Sequence, residues 1–137
     1  MASRLNPYIS YNGNAREAFE FYKDVFGGEL AMNTFGEFGA SESSDADKIM
    51  HASLETPSGF TLMGSDTPAE LEFKPGTTMS VSLSGDDGDD LRGYYEKLAE
   101  AGTVTMPLEK QMWGDEFGMV LDQFGVSWMV NIAAPQG

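Results

Sequence analysis

Two segments of the chain have apolar residues at the three- and four-residue spacing of an amphipathic helix. The first, AFEFYKDVF at 18–26, follows Asn14, an N-cap residue that forms a capping-box pattern with Glu17. The second covers about 89–101 and ends at Gly102, a residue type that commonly terminates helices. We therefore predict two helices, one in each half of the chain.

Short stretches around these helices alternate apolar and polar residues, as half-buried strands do. A hairpin turn is predicted at Thr56–Gly59, and a loop at 36–47 is rich in glycine, serine and acidic residues. The predicted strands lie at 8–11, 29–35, 49–54 and 60–63 in the first half, and at 78–83, 103–110, 117–122 and 127–132 in the second.

The two halves repeat one plan. FYKD at 21–24 matches YYEK at 94–97 with an offset of 73 residues (94 minus 21), and each half reads as strand, helix and three further strands. A doubly wound α/β fold would need a helix between nearly every pair of strands. We therefore predict an α+β fold of two tandem βαβββ modules. The predicted modules are 1–66 and 77–137, joined by a connector at 67–76 within a single domain, 1–137.

Composition and charge narrow the range of partners. The 137 residues include 22 Asp plus Glu against eight Lys plus Arg, which gives a formal net charge of −14. An acidic surface repels nucleic-acid phosphates and anionic lipids, so neither a nucleic acid nor a membrane is predicted as a partner. With no cysteine and no apolar run long enough to span a bilayer, we expect a cytoplasmic protein without disulfides or thiolate metal sites.

His51 is the only histidine, so it limits the chemistry available to the chain. The alternation of its strand places Ile49, Ser53 and Glu55 on the same face as His51. A neutral imidazole that shares a cleft with a carboxylate could act as a general base or orient a polar ligand. The alternative is a structural histidine, partly buried and hydrogen-bonded within the sheet.

Aromatic and thioether side chains supply a second set of candidates. Trp113, Phe117, Phe124 and Met63 could line an apolar pocket in which a few polar groups orient the ligand. Trp113 lies beside a Gly-Asp turn and is favoured as a rim residue, whereas Trp128 is favoured as a core residue. Core packing is the alternative, and it is favoured for most of the set. The methionines of the predicted strands suit a core or an adaptable cavity; they are Met50, Met63, Met79, Met106, Met119 and Met129.

Four stretches of the chain together resemble one known family. They are PYISYNGNAREAFEFYKDVFGGEL at 7–30, KIMHASLE at 48–55, TLMGSD at 61–66 and WGDEFGMVLDQFGVSWMVN at 113–131. Through them the chain resembles the PhnB-like branch, also named demethylubiquinone methyltransferase-like, of the vicinal oxygen chelate superfamily. That superfamily includes glyoxalase I, extradiol dioxygenases and bleomycin-resistance proteins. The resemblance implies paired modules that form a curved mixed sheet around a cleft, and a homodimer.

Metal enzymes of this superfamily carry His or Glu at four positions of the inner strands, and the resemblance locates those positions in this chain. They fall at about Pro7, near 61–63, near Thr77 or Thr78, and at about Met129. None of these residues offers an imidazole or a carboxylate, whereas a metal enzyme needs three or four such ligands. The resemblance thus implies a cleft without the usual metal ligands. No cofactor is predicted, and a divalent metal is disfavoured.

Three functions remain open at this stage. The favoured one is the binding of a small organic molecule in a cleft that lacks the usual metal ligands. The alternatives are a metal-dependent lyase or dioxygenase with relocated ligands, such as His51, Glu55 or Glu37, and a non-catalytic dimeric interaction module; a methyltransferase is not expected. The candidate catalytic residue is His51, no metal ligand is assigned, and the candidate ligand-binding residues are His51, Glu55, Met63, Trp113, Phe117 and Phe124.

Overall fold

A computed structural model describes the chain at residues 3, 5–39, 44–76 and 78–134. The chain divides into two compact units, Met1–Lys74 and Pro75–Gly137, and their boundary lies within the segment predicted as a connector. Among the described residues, neither unit has a helix that is long and apolar enough to cross a membrane.

In the first unit, one helix packs on a four-stranded mixed sheet. Its elements are β1 Tyr8–Tyr11, α1 Ala15–Phe26, β2 Glu29–Thr34, a short 3-10 helix Gly36–Phe38, β3 Ile49–Glu55 and β4 Thr61–Asp66. The strand order is β1-β4-β3-β2, with β1 parallel to β4 and the other pairs antiparallel. The apolar side of α1 covers one face of this sheet. The core consists of Tyr11, Ala15, Ala18, Phe19, Tyr22, Val25, Phe26, Ile49, Ala52, Leu54 and Leu62.

The second unit repeats this arrangement. Its elements are β5 Val81–Gly85, α2 Gly88–Ala101, β6 Thr103–Lys110, β7 Glu116–Leu121 and β8 Ser127–Ile132. The strand order is β5-β8-β7-β6, again with the first strand parallel to the last in sequence. Its core consists of Leu83, Leu91, Tyr95, Leu98, Val120, Trp128, Val130 and Ile132. The predicted α+β fold of two tandem βαβββ modules is thereby confirmed.

The start of α1 differs from the predicted capping box. Asn14 precedes the helix as predicted, but its side chain makes no capping hydrogen bond. The Ala15 amide instead donates to Oδ1 of Asp66 at 2.9 Å, and Oδ2 of Asp66 accepts the Ile49 amide at 2.9 Å. A buried carboxylate at the end of β4 replaces the local cap because it satisfies a helix amide and a strand amide together.

Strand β5 begins three residues later than predicted. The segment at 78–83 has strand-like alternation, but the ladder with β8 begins at the Val81–Trp128 pair and extends to Gly85. Met79 consequently lies outside the strand and is 81% exposed. Alternation alone placed the start too early, because it cannot show where the partner strand begins.

Candidate functional site

Each sheet has one face covered by its helix and one face directed away from it. Because side chains alternate along a strand, the register identifies the residues that share the second face. In the first unit we name this the first distal face. It consists of Tyr8, Ser10, Glu29, Ala31, Asn33, His51, Ser53, Glu55, Thr61, Met63 and Ser65. All of these residues are half-buried or exposed, so none belongs to the core.

On this face His51 is joined by Tyr8, a residue that the sequence analysis did not select. Tyr8 Oη lies 3.3 Å from His51 Nδ1, and the two ring centroids are 5.7 Å apart with an interplanar angle of 32°. Since Tyr8 is on β1 and His51 is on β3, the contact spans the intervening strand β4. Tyr8 is 51% exposed. The pair therefore lies at the surface of the sheet rather than in its core.

The prediction that Ile49 shares a face with His51 is wrong. Asn33 pairs with His51, but the next residue, Thr34, pairs with Ile49. Met50 is therefore an extra residue in β3 and forms a β-bulge, which turns Ile49 to the opposite face. Ile49 is accordingly buried in the core, at 1% exposure.

The structure brings Met63 to the pair but leaves Glu55 apart. Met63 pairs directly with Tyr8 on one side and with Ser53 on the other, so it lies in the same part of the sheet. Glu55 shares the face but lies four residues from His51 along β3, which at strand spacing is roughly 13 Å. The carboxylate is therefore not positioned to assist the imidazole.

Glu55 instead lines a cavity of about 430 Å³ that includes neither Tyr8 nor His51. The cavity lies where the β3–β4 hairpin turn meets the segment before β1. Thr56 shapes the turn, since its Oγ1 accepts the Phe60 amide at 3.1 Å. The lining residues are Leu5, Asn6, Glu55, Thr56, Gly59, Phe60 and Thr61.

The three side chains suggested as ligands of a relocated metal site, His51, Glu55 and Glu37, do not converge on one point. Glu37 accepts a hydrogen bond from Asn33 Nδ2 at 3.3 Å, and Asn33 is the β2 residue opposite His51. Glu55 is distant from both, at the other end of β3. No three His, Asp or Glu side chains in the described part of the chain group together as metal ligands. The geometry therefore gives no set of three or four converging donors.

In the second unit the structure brings Trp113 and Phe117 together. Trp113 lies in the turn between β6 and β7 and is 60% exposed. Its ring packs edge-on against Phe117, with the centroids 6.3 Å apart and an interplanar angle of 60°. Phe124 lies in the turn after β7, at the opposite end of that strand, so the three aromatic residues do not form one cluster.

Asp115 anchors the turn that carries Trp113. Its Oδ2 accepts Asn131 Nδ2 at 3.1 Å, and its Oδ1 accepts the Ala134 amide at 2.8 Å. These two hydrogen bonds, the Asn131 one above all, hold the pKa of the Asp115 carboxyl below its usual range. The Gln111 amide donates to the Asp115 carbonyl at 2.8 Å and closes the turn. Trp113 is thus presented on a well-defined loop.

Within the last of the four stretches that carry the family resemblance, Asp122 and Trp128 have a structural role. Asp122 is 4% exposed, and its Oδ1 accepts the Phe124 and Val126 amides at 2.9 Å each. Its Oδ2 accepts Trp128 Nε1 at 2.9 Å, and Trp128 is fully buried in the core as predicted. The Asp122–Trp128 motif therefore fixes the β7–β8 turn and does not contribute to the first distal face.

Comparison with known proteins yields close matches over almost the whole chain. A crystal structure of protein PA1353 from Pseudomonas aeruginosa is 41% identical, with 98% of this chain and 100% of that chain covered and a TM-score of 0.86. Protein YjdN of Escherichia coli K12 is 28% identical over 144 residues, which cover 96% of this chain and 97% of YjdN.

A more distant structure shares the fold. It is a putative 3-demethylubiquinone-9 3-methyltransferase, PhnB protein, from Bacillus cereus, at 24% identity, with 96% and 100% of the two chains covered and a TM-score of 0.72. The family model that matches this chain, over residues 4–130, is that of the Glyoxalase/Bleomycin resistance protein/Dioxygenase superfamily. The chain belongs to this superfamily, as the sequence resemblance predicted.

Proposed function

We propose that the chain binds a small organic molecule on the first distal face, with the Tyr8–His51 pair at the centre of the site. The observation that carries the proposal is the pair itself, in which a phenol and an imidazole meet at 3.3 Å on a partly exposed sheet surface. Met63 lies beside it and supplies an adaptable apolar contact. Small-molecule sites combine apolar contact area with a few placed polar groups, and here the Tyr8 ring and Met63 supply the apolar contact.

The exposure of the pair favours binding over a structural role. A hydrogen bond between buried groups stabilises a fold because its loss leaves an unsatisfied donor or acceptor away from water. Tyr8 is 51% exposed, so water replaces the lost partner when either side chain is truncated. The pair therefore contributes little to folding, and its geometry supports recognition.

Native mass spectrometry of freshly purified, untagged protein, without chelator in the buffer, tests the proposal. We expect an additional organic mass on the wild-type chain and its loss from His51→Ala, while the thermal unfolding midpoint stays unchanged. Retention of the same mass by His51→Ala would contradict a site at this pair. An increment of one divalent ion per chain would instead favour the metal-dependent alternative.

We also propose that the protein is a homodimer, which is the assembly that the superfamily resemblance implies. Light scattering over a wide range of concentrations tests this. We expect twice the chain mass of 14.9 kDa. A mass that stays at the single-chain value throughout would refute the dimer without affecting the ligand proposal.

A further inference from the structure

His51 presents to the distal face one ring nitrogen that the sheet does not use. Its Nδ1 faces the Tyr8 hydroxyl at 3.3 Å, while Nε2 has no hydrogen-bond partner within the described residues. A polar atom at a partly exposed surface without a protein partner is free to bond water or a ligand. Nε2 is therefore the atom through which the imidazole meets a ligand.

Tyr8 determines which kind of hydrogen bond Nε2 makes. An imidazole nitrogen lone pair is a better acceptor than a phenol oxygen, whose lone pairs are delocalised into the ring, so the hydroxyl donates and Nδ1 accepts. In the neutral ring the proton then lies on Nε2, and in the protonated ring both nitrogens carry one. Nε2 is a donor in either form, so its partner must be an acceptor.

The charges around the pair indicate that this acceptor is uncharged. The Glu37 carboxylate accepts from Asn33 Nδ2 at 3.3 Å, and Asn33 is the residue opposite His51. The first distal face itself has two more distant carboxylates, Glu29 and Glu55, and no Lys or Arg. Lys48, which directly precedes β3, is already paired with Asp45 at 2.9 Å. The chain as a whole carries a net charge of −14. A carboxylate or phosphate ligand would therefore approach against a repulsive potential.

The neighbours of the pair add an apolar requirement. Met63 pairs with Tyr8 in the adjacent strand, and the Tyr8 ring is itself half exposed. A thioether and an aromatic ring offer contact area to an apolar or aromatic body. A molecule that fits this site therefore needs both a hydrogen-bond acceptor for Nε2–H and an apolar body that contacts Tyr8 and Met63.

We infer that the ligand of the first distal face is an uncharged molecule in which a carbonyl oxygen accepts from Nε2–H of His51 while an apolar body packs on Tyr8 and Met63. This inference rests on the proposed function and specifies its ligand class. Tyr8 is the positioning residue: it fixes the tautomer of His51.

The tautomer can be measured directly, because His51 is the only histidine in the chain. Long-range 1H–15N correlation NMR of the full chain at neutral pH then reports a single imidazole. We expect Nε2–H in the wild type and a mixture of tautomers in Tyr8→Phe. The matched control is Tyr95→Phe, which removes a hydroxyl bonded to the Met106 carbonyl in the second unit and should leave the imidazole unchanged. A wild-type imidazole with its proton on Nδ1 would overturn the inference.

The ligand class is tested with three probes of similar size: acetophenone, benzoate and ethylbenzene. We expect acetophenone to bind most tightly, as read from amide shifts of β3 and β4, and Tyr8→Phe and His51→Phe to weaken it about fivefold, the effect of losing one neutral hydrogen bond. Ethylbenzene should bind equally to all variants. His51→Gln, which retains a donor amide, should keep part of the acetophenone affinity and guards against misfolding of His51→Phe.

The outcomes separate the two proposals. Tighter binding of benzoate than of acetophenone, or acetophenone binding that is insensitive to Tyr8→Phe and His51→Phe, would overturn the ligand class and leave small-molecule binding intact. If none of the probes perturbs the first distal face, and native mass spectrometry finds no bound molecule, the proposed function is wrong and the inference fails with it.

Discussion

The two units share a scaffold but differ on the face directed away from the helix. In both, the helix contributes a buried tyrosine at the equivalent position, Tyr22 and Tyr95. In the first sheet, one row of paired residues on this face is Tyr8, Met63 and Ser53. The corresponding row in the second sheet is Ser82, Met129 and Met119. Packing against the helix constrains one face of each sheet, whereas the other face is free to differ.

The difference is one of chemistry. The second distal face consists of Ser82, Ser84, Thr103, Met106, Glu109, Phe117, Met119, Leu121, Ser127, Met129 and Asn131. Phe117, two residues before Met119 on β7, corresponds to His51, two residues before Ser53 on β3. An imidazole in one unit is thus replaced by a phenyl ring in the other. A repeated fold therefore does not imply a repeated site, and function has to be argued for each unit separately.

The largest expected losses of stability come from the buried carboxylate of each unit. Asp122 accepts from two backbone amides and from Trp128 Nε1, whereas Asp66 accepts from two backbone amides. Since each unsatisfied buried donor costs roughly 1–3 kcal/mol, we expect Asp122→Ala to destabilise by about 4 kcal/mol and Asp66→Ala by about 3 kcal/mol.

Urea unfolding measures both effects. Trp113 and Trp128 are the only tryptophans, so fluorescence reports the second unit while far-UV circular dichroism reports both. Equal losses of stability, or a larger loss for Asp66→Ala, would contradict the ranking of the two carboxylates. Coincident or separate midpoints of the two signals would further show whether the units unfold together.

Contacts that are local in sequence were predictable, and contacts between distant segments were not. The helices and most strands follow from periodicity, and α2 begins one residue before its predicted start. The carboxylate that caps α1 comes from Asp66, 51 residues after Ala15, so no local pattern could reveal it. Tyr8 was not selected as a candidate for the same reason: the sequence does not show that β1 pairs with β4. His51 was selected as a candidate because it is the only histidine in the sequence.

Glycine substitutions provide the next test of the comparison. Gly64 in the first unit is closely surrounded by other atoms, whereas Gly93 in the second unit has open space beside it. A Cβ at Gly64 would lie 2.5 Å from the Ile9 carbonyl oxygen and 2.8 Å from the Phe19 ring. A Cβ at Gly93, inside α2, would meet nothing within 4 Å. We expect Gly64→Ala to destabilise by about 2 kcal/mol and Gly93→Ala to stabilise by up to about 1 kcal/mol. Thermal unfolding of the two variants beside wild type measures both effects. If Gly64→Ala is tolerated, β1 and α1 can move away from β4 at little cost, and the expectation is wrong.

A smaller effect concerns acid stability, to which each unit contributes one carboxyl with a lowered pKa. In the first unit the pKa of Asp45 is lowered chiefly by its hydrogen bond to Lys48, and in the second that of Asp115 chiefly by Asn131. A carboxyl whose folded-state pKa lies below the unfolded value of about 3.9 contributes stability at neutral pH. That contribution is lost as the pH falls from the unfolded pKa through the folded one. We expect Asp45→Asn and Asp115→Asn each to flatten the loss of stability below about pH 4.

Salt distinguishes the two carboxyls. Asp45 is paired with a cation, so added salt should weaken its contribution, whereas the neutral partners of Asp115 should make that contribution insensitive to salt. Urea titrations at several pH values, at low and high ionic strength, measure the difference. An equal response of the two variants to salt would indicate that the Lys48 ion pair contributes nothing measurable.

The smallest expected effect on stability belongs to the proposed site. His51 is half-buried and its Tyr8 partner is exposed, so His51→Ala should lower the free energy of unfolding by less than about 0.5 kcal/mol. Phe117→Ala, at the equivalent position of the second unit, removes a ring that packs on Trp113 and should cost about 1 kcal/mol. If His51→Ala proves the more destabilising of the two in urea unfolding, the imidazole holds the sheet together and the argument for a ligand at this face is lost. If the order is as expected, the first unit retains a polar pair that its own folding does not require, which is what the proposed ligand site predicts.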